Sequence, residues 1–132
     1  MRQLIPAFVA MGIGLAGIAG AQSASVEVKF PAGSSGTVLS DQTVTGAGIA
    51  DYTLGAGAGQ TMYVSLVANP TVYFNILPPG STGEAIYNGS LNGTNAQITL
   101  PVSGSYVIRV YQMGDGRDSG QTSSFNLSIT IL

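Results

Sequence analysis

From residue 26 onward the chain alternates apolar and polar side chains with a period of two. Val26, Val28 and Phe30 alternate with Glu27 and Lys29, and Ala50, Tyr52 and Leu54 alternate with Asp51 and Thr53. The same rhythm recurs at Met62, Val64 and Leu66, at Val72, Phe74 and Ile76, and at Ala96, Ile98 and Leu100. It is strongest at Tyr106, Ile108 and Val110 and at Phe125, Leu127, Ile129 and Ile131. Successive side chains on a strand point to opposite faces, so each run predicts one buried face and one wet face. A weaker strand is expected over residues 37–44 and a short one over residues 85–87. Turn chemistry separates the runs. Residues 55–60 are rich in glycine, and Asn69-Pro70 and Leu77-Pro78-Pro79-Gly80 force the chain out of a ladder. Asn88-Gly89 and Asn92-Gly93 favour positive φ. No ten-residue stretch carries a helical stripe. The pattern predicts an all-β fold, an antiparallel β-sandwich or jelly roll of about seven to nine short strands.

The first 21 residues stand outside this pattern. Arg2 precedes an uncharged apolar run ending in Ala19-Gly20-Ala21, which reads as a secretory signal peptide cleaved after residue 21. The run is short for a membrane span. Removing 21 of 132 residues leaves 111, a single domain of residues 22–132. The expected location is periplasmic or secreted, with no membrane insertion after cleavage. Loss of Arg2 leaves Lys29, Arg109 and Arg117 against six acidic residues, a net charge of −3. That balance offers no footprint for nucleic acid. The absence of cysteine leaves packing and ladder hydrogen bonds to hold the fold.

The inventory for catalysis is thin. Without His or Cys, neither a Ser-His-Asp nor a Cys-His arrangement is possible. Asp115 and Asp118 share a loop, but nothing apolar beside them would raise a carboxyl pKa for acid catalysis. The same loop lacks the alternating oxygen ligands of a calcium site. The chain is therefore expected to bind rather than catalyse, without cofactor or metal. The interesting loop joins the two strongest runs. Tyr111 and Gln112 end one of them and lead through Met113 into Asp115, Arg117 and Asp118. Arg117 is the only cation on a predicted loop. A guanidinium carried on a stiff two-stranded arm forms bidentate bonds to carboxylates. The alternative is a surface arginine that neutralises Asp115 and Asp118. Tyr63, Tyr73, Tyr87 and Tyr111 form either a binding stripe or the covering of sheet faces and edges.

Residues 26–132 resemble the bacterial periplasmic inhibitors of goose-type lysozyme. The resemblance is carried by Val26-Glu27-Val28-Lys29-Phe30, Asp51-Tyr52-Thr53-Leu54, Ala58-Gly59-Gln60 and Val64-Ser65-Leu66. It continues through Leu100-Pro101 to Gln112 and through Phe125-Asn126-Leu127-Ser128-Ile129. The pieces around Gly59-Gln60 and from Leu100 to Val110 are also typical of pre-peptidase C-terminal-like sandwich modules. The resemblance implies occlusion of a lysozyme cleft through residues 112–119, and a monomer or weak dimer is expected. Arg117, Gln112, Tyr111, Asp115 and Asp118 would then contact the partner. In the inhibitors, two loop arginines and a tyrosine enter the cleft, and those positions fall here at Gly114, Asp118 and Ala47. None is kept, and Arg117 stands one place from a lost arginine. The alternative implied function is a non-catalytic interaction module that binds envelope polysaccharide or protein.

Overall fold

Strands β3 (Ile49–Ala56) and β8 (Gly104–Gln112) pair antiparallel at the centre of one sheet, with Ala50 opposite Val110 and Leu54 opposite Tyr106. A computed structural model describes residues 23–132; the predicted signal peptide lies outside the described residues. The remaining strands are β1 (Ser23–Glu27), β2 (Gly36–Thr45), β4 (Thr61–Ala68), β5 (Val72–Leu77), β6 (Tyr87–Asn88), β7 (Asn95–Thr99) and β9 (Thr122–Ile131). Two single helical turns, α1 (Gly89–Asn92) and α2 (Asp115–Asp118), interrupt them. One sheet has the order β1-β3-β8-β5-β6 and the other β2-β9-β4-β7. The result is the all-β sandwich that the alternation predicts.

The inward phases match the sequence pattern. Tyr52, Leu54, Phe74, Ile76, Tyr106, Ile108 and Val110 from the first sheet meet Met62, Val64, Leu66, Phe125, Leu127 and Ile129 from the second. Each fully buried large apolar side chain contributes roughly 1.5–3 kcal/mol. Tyr106, near the start of β8, donates its hydroxyl back to the carbonyl of Val102 at 2.5 Å. This pins the β7–β8 corner, as tyrosine corners do in other sandwiches. Tyr52 lies edge-on to Phe125 and donates to Gln42 Oε1 at 2.9 Å. Burial pushes the Tyr52 phenol up to about 12.

Three local features differ from the sequence pattern. The first strand spans residues 23–27 and pairs parallel to β3, with Ser23 opposite Ile49. The chain crosses to the other sheet for β2 and returns for β3, and two reversals restore its direction. Val28 and Phe30 therefore lie on the crossing, half-buried against the core. The weak strand expected over residues 37–44 is β2, and it bulges between Leu39 and Gln42 with Asp41 at φ 57°. Such a bulge blunts an edge strand. At Asn88-Gly89 the expected positive φ is absent. Asn88 is extended and caps α1, its Oδ1 accepting from the Ser90 amide at 3.0 Å. An unpaired helix-start amide beside an asparagine favours capping over a turn.

Candidate functional site

Three connections meet at one end of the sandwich: the β2–β3 turn at Gly46-Ala47-Gly48, the β4–β5 turn around Asn69 and Thr71, and the β8–β9 loop. The register explains the grouping. Thr45, Ile49, Ala68, Val72, Gln112 and Thr122 are all strand ends on the same side. Backbone bonds knit the three together. Gly46 donates to the Gln121 carbonyl at 2.9 Å, and Met113 donates to the Thr71 carbonyl at 2.9 Å.

Gln112 sits beneath this end. It continues the inward phase of Tyr106, Ile108 and Val110 and is only 3% exposed. Its Nε2 donates to the carbonyl of Gln121 at 2.8 Å and of Val44 at 3.4 Å. Its Oε1 accepts from the hydroxyls of Ser123 at 2.7 Å and Thr71 at 3.1 Å. One amide thus ties all three connections, each through a different partner. Ser123 is itself buried and accepts from Asn69 Nδ2 at 3.1 Å and Gln121 Nε2 at 2.9 Å. A buried amide with its donors and acceptor satisfied is stiff, because any displacement leaves an orphaned polar group. The expectation that Gln112 faces a partner is therefore corrected. It points inward and positions the loop.

Above this base the loop makes the helical turn α2. Asp118 donates its amide to the Gly114 carbonyl at 2.9 Å, and Ser119 does the same to Asp115 at 2.9 Å. Gly114 enters the turn at φ 66°, a region that favours glycine. Gly116 is buried against the base; an added Cβ would lie 2.5 Å from both Gln112 Oε1 and Thr71 Oγ1. Tight seating at Gly116 turns the neighbouring side chains outward. Asp115, Arg117 and Asp118 are exposed, and so is Met113.

Among the described residues the only ion pair is Arg109 with Asp51, which face each other across β3 and β8 on the outer face of the first sheet and not on this loop. Arg117 makes no ion pair with Asp115 or Asp118, so the neutralising alternative has no support in the geometry. Tyr111 lies on the outer face of the first sheet. It is half-buried, tilted against Tyr73 with ring centroids 6.2 Å apart, and donates to Asn75 Oδ1 at 2.8 Å. Tyr63 is on the other sheet, and Tyr87 stacks on Phe74 while bonding the carbonyls of Asn92, Gly93 and Asn95. The tyrosines do not form one stripe. Ala47, Gly114 and Asp118, the positions that the resemblance aligns with cleft-entering residues, share this end with Arg117. Ala47 is exposed at the top of its turn.

Thr71, Gln121 and Ser123 carry no mark in the sequence pattern as supports of this end, and Asn69 is marked there only as part of a turn. Ser123 and Gln112 carried a usable signal, since both fall in the buried phase of their strands as polar residues.

No family model and no curated protein matches the chain. Solved structures do. Aeromonas hydrophila PliG, a periplasmic lysozyme inhibitor of g-type lysozyme, is 33% identical with a TM-score of 0.78, over 84% of this chain and 98% of that one. Salmonella Typhimurium PliG, also a periplasmic inhibitor of g-type lysozyme, is 26% identical with a TM-score of 0.66, over 82% and 97%. A pre-peptidase C-terminal domain of Bacillus anthracis collagenase shares the fold alone, at 11% identity and a TM-score of 0.50, over 85% and 96%.

Proposed function

The chain belongs to the PliG family of periplasmic inhibitors of g-type lysozyme, and from that membership we propose that it inhibits such a lysozyme by occluding the active-site cleft. It is a binding protein with no catalysis of its own. The inserting element is the loop of residues 112–119. Arg117 faces the enzyme's carboxylates, Asp115 and Asp118 contact the rim, and Tyr111 extends the contact onto the sheet. Gln112 holds the loop in shape from below. The leader of residues 1–21 directs export to the periplasm and is removed, leaving residues 22–132 as a monomer or weak dimer.

One observation carries this reading. An exposed arginine without an ion-pair partner stands on a loop whose base is fixed by a buried, fully bonded glutamine. A preorganised loop gives up little freedom on docking. Glycosidases present a pair of carboxyl groups, and a guanidinium matches a carboxylate with two parallel bonds. Because the family's two arginine positions are Gly114 and Asp118 here, this one cation carries the charge recognition alone.

The test is an inhibition assay against goose-, chicken- and invertebrate-type lysozymes with the mature chain and its Arg117→Ala variant. The expected result is near-stoichiometric inhibition of the goose type. In the variant, losing a buried charge pair costs about 2–5 kcal/mol, which raises the inhibition constant at least ~30-fold. Its unfolding free energy should stay within about 0.5 kcal/mol of the parent. Full lysozyme activity at large excess of the parent chain would refute inhibition. Undiminished inhibition by the variant would refute the assignment to Arg117.

A further inference from the structure

The outer face of the second sheet carries a shallow trough of about 390 Å³, lined by Tyr63, Ser65, Asn95, Gln97, Ser128 and Thr130 together with backbone at Val64 and Ala96. Register explains its shape. Gln97, Tyr63 and Thr130 stand abreast on β7, β4 and β9 and form one wall. Asn95, Ser65 and Ser128 form the next row, and the two short serines make the floor. Val67 beside Asn126 and Val38 beside Ser128 lie on the same face, outside the lining. The two lining rows lie about 7 Å apart along the strands, and the three strands β7, β4 and β9 span about 10 Å. The trough therefore runs across three strands, a length of about 10 Å that seats about two sugar rings of an oligosaccharide.

Its chemistry is uniform. No charged side chain lines it, although charged residues occur on the loop end and on the other sheet's outer face. Ser65 Oγ and Asn95 Oδ1 bond each other at 2.7 Å. Among the described residues, the Tyr63 hydroxyl, the Gln97 amide and the Ser128 and Thr130 hydroxyls make no bond to another protein group. The opposite sheet's outer face differs, since Arg109 bonds Asp51 twice and Tyr111 bonds Asn75. A charged ligand entering the trough would lose water and gain no counter-charge. A neutral ligand rich in hydroxyl and amide groups would find matching donors and acceptors and one aromatic ring, with the exposed valines Val38 and Val67 flanking the lining on the same face. Pyranose rings have that dual character, with C–H faces for packing and equatorial polar groups for bonding.

We propose that this trough is a second binding site, separate from the 112–119 loop, for an uncharged oligosaccharide bearing acetamido groups. Tyr63 supplies the stacking surface, Asn95 and Gln97 bond the acetamido groups, and Ser128 and Thr130 bond ring hydroxyls.

The experiment is an NMR titration of the mature, isotope-labelled chain, without lysozyme, against tri-N-acetylchitotriose. The fully deacetylated, cationic trimer serves as comparator. Saturable shifts are expected at the amides of Tyr63, Ser65, Gln97 and Ser128 with the acetylated trimer and only weakly with the cationic one. Tyr63→Ala should weaken binding about tenfold through loss of the ring contact. Ser128→Leu should fill the floor and abolish binding. Neither variant should alter lysozyme inhibition, and Arg117→Ala should leave sugar binding intact, so the two sites fail independently. Absent shifts, shifts centred elsewhere, equal binding of the cationic trimer, or undiminished binding by Ser128→Leu would each overturn the proposal.

Discussion

The two ends of the sandwich are fastened by the same residue type in different ways. At the end opposite the 112–119 loop, Gln60 accepts from the Gly57 amide at 2.7 Å, within its own β3–β4 turn. Ser103 joins that turn to the β7–β8 corner by accepting from the Ala58 amide at 2.9 Å, at an exposed site. The first fastening is confined to one turn and half-buried, and the second is exposed. At the loop end, Gln112 is buried and bonds partners on β2, β9 and the β4–β5 and β8–β9 connections together. Water can replace Gln60 but cannot readily replace Gln112. The difference teaches where stiffness is concentrated: beneath the loop that carries Arg117.

Breaking Gln112 should have the largest effect. Gln112→Ala leaves the buried Ser123 hydroxyl without its acceptor, takes one of two partners from Thr71 Oγ1 and from the Gln121 carbonyl, and opens a cavity, and we expect a loss of about 3 kcal/mol in denaturant unfolding. Inhibition should fall even where the protein remains folded, because the loop loses its shape. Gln112→Glu sharpens the point. An ionised carboxylate still accepts from Ser123 and Thr71 but cannot donate to Gln121 and Val44. Burial raises its pKa above the usual value of about 4.3. The variant should therefore be best tolerated below that pH, and its deficit should grow as pH rises through the elevated folded-state value. Thermal unfolding across pH 3 to 8 (roughly the range that brackets a buried carboxyl) measures this. A deficit that shrinks as pH rises would contradict the geometry. Gly116→Ala comes next. Its Cβ meets Gln112 Oε1 and Thr71 Oγ1 at 2.5 Å, and neither can move without breaking bonds. Overpacking of this kind costs about 1–3 kcal/mol, and unfolding midpoints would register it.

Most of the sandwich was legible because burial follows strand phase. Tyr106, Ile108 and Val110, or Leu127 and Ile129, announce their sheet and their face through alternation alone. Sheet order and the parallel pairing of β1 were not legible, since they depend on crossings between sheets that leave no periodic trace. Within the candidate site, Arg117 and its acidic neighbours were visible as a charged loop. Gln112 was legible in principle and misread, because its amide suggested a contact while its phase placed it inside. Its partners lie 41 and 68 residues away at Thr71 and Val44, and no local pattern connects them. The trough on the second sheet was hidden for the same reason. Tyr63, Asn95 and Ser128 come from three strands and become neighbours only through register.

The smallest effect is expected at the far end, and it tests whether the contrast is real. Gln60→Ala removes the acceptor of the Gly57 amide, in a turn that already has a backbone bond from Gln60 N to the Gly57 carbonyl at 3.2 Å. The turn is also tied by Gly59 to Leu100 and by Leu100 to Gln60, both at 2.8 Å and both through backbone. Those bonds survive the substitution, and the freed amide lies where water can reach it. The loss should be about 0.5–1 kcal/mol, with lysozyme inhibition unchanged. Denaturant unfolding and the inhibition assay, run beside Gln112→Ala, give the comparison directly. If Gln60→Ala costs as much as Gln112→Ala, or weakens inhibition as much, stiffness is shared by both ends. The loop then owes its shape to the whole sandwich rather than to one buried amide.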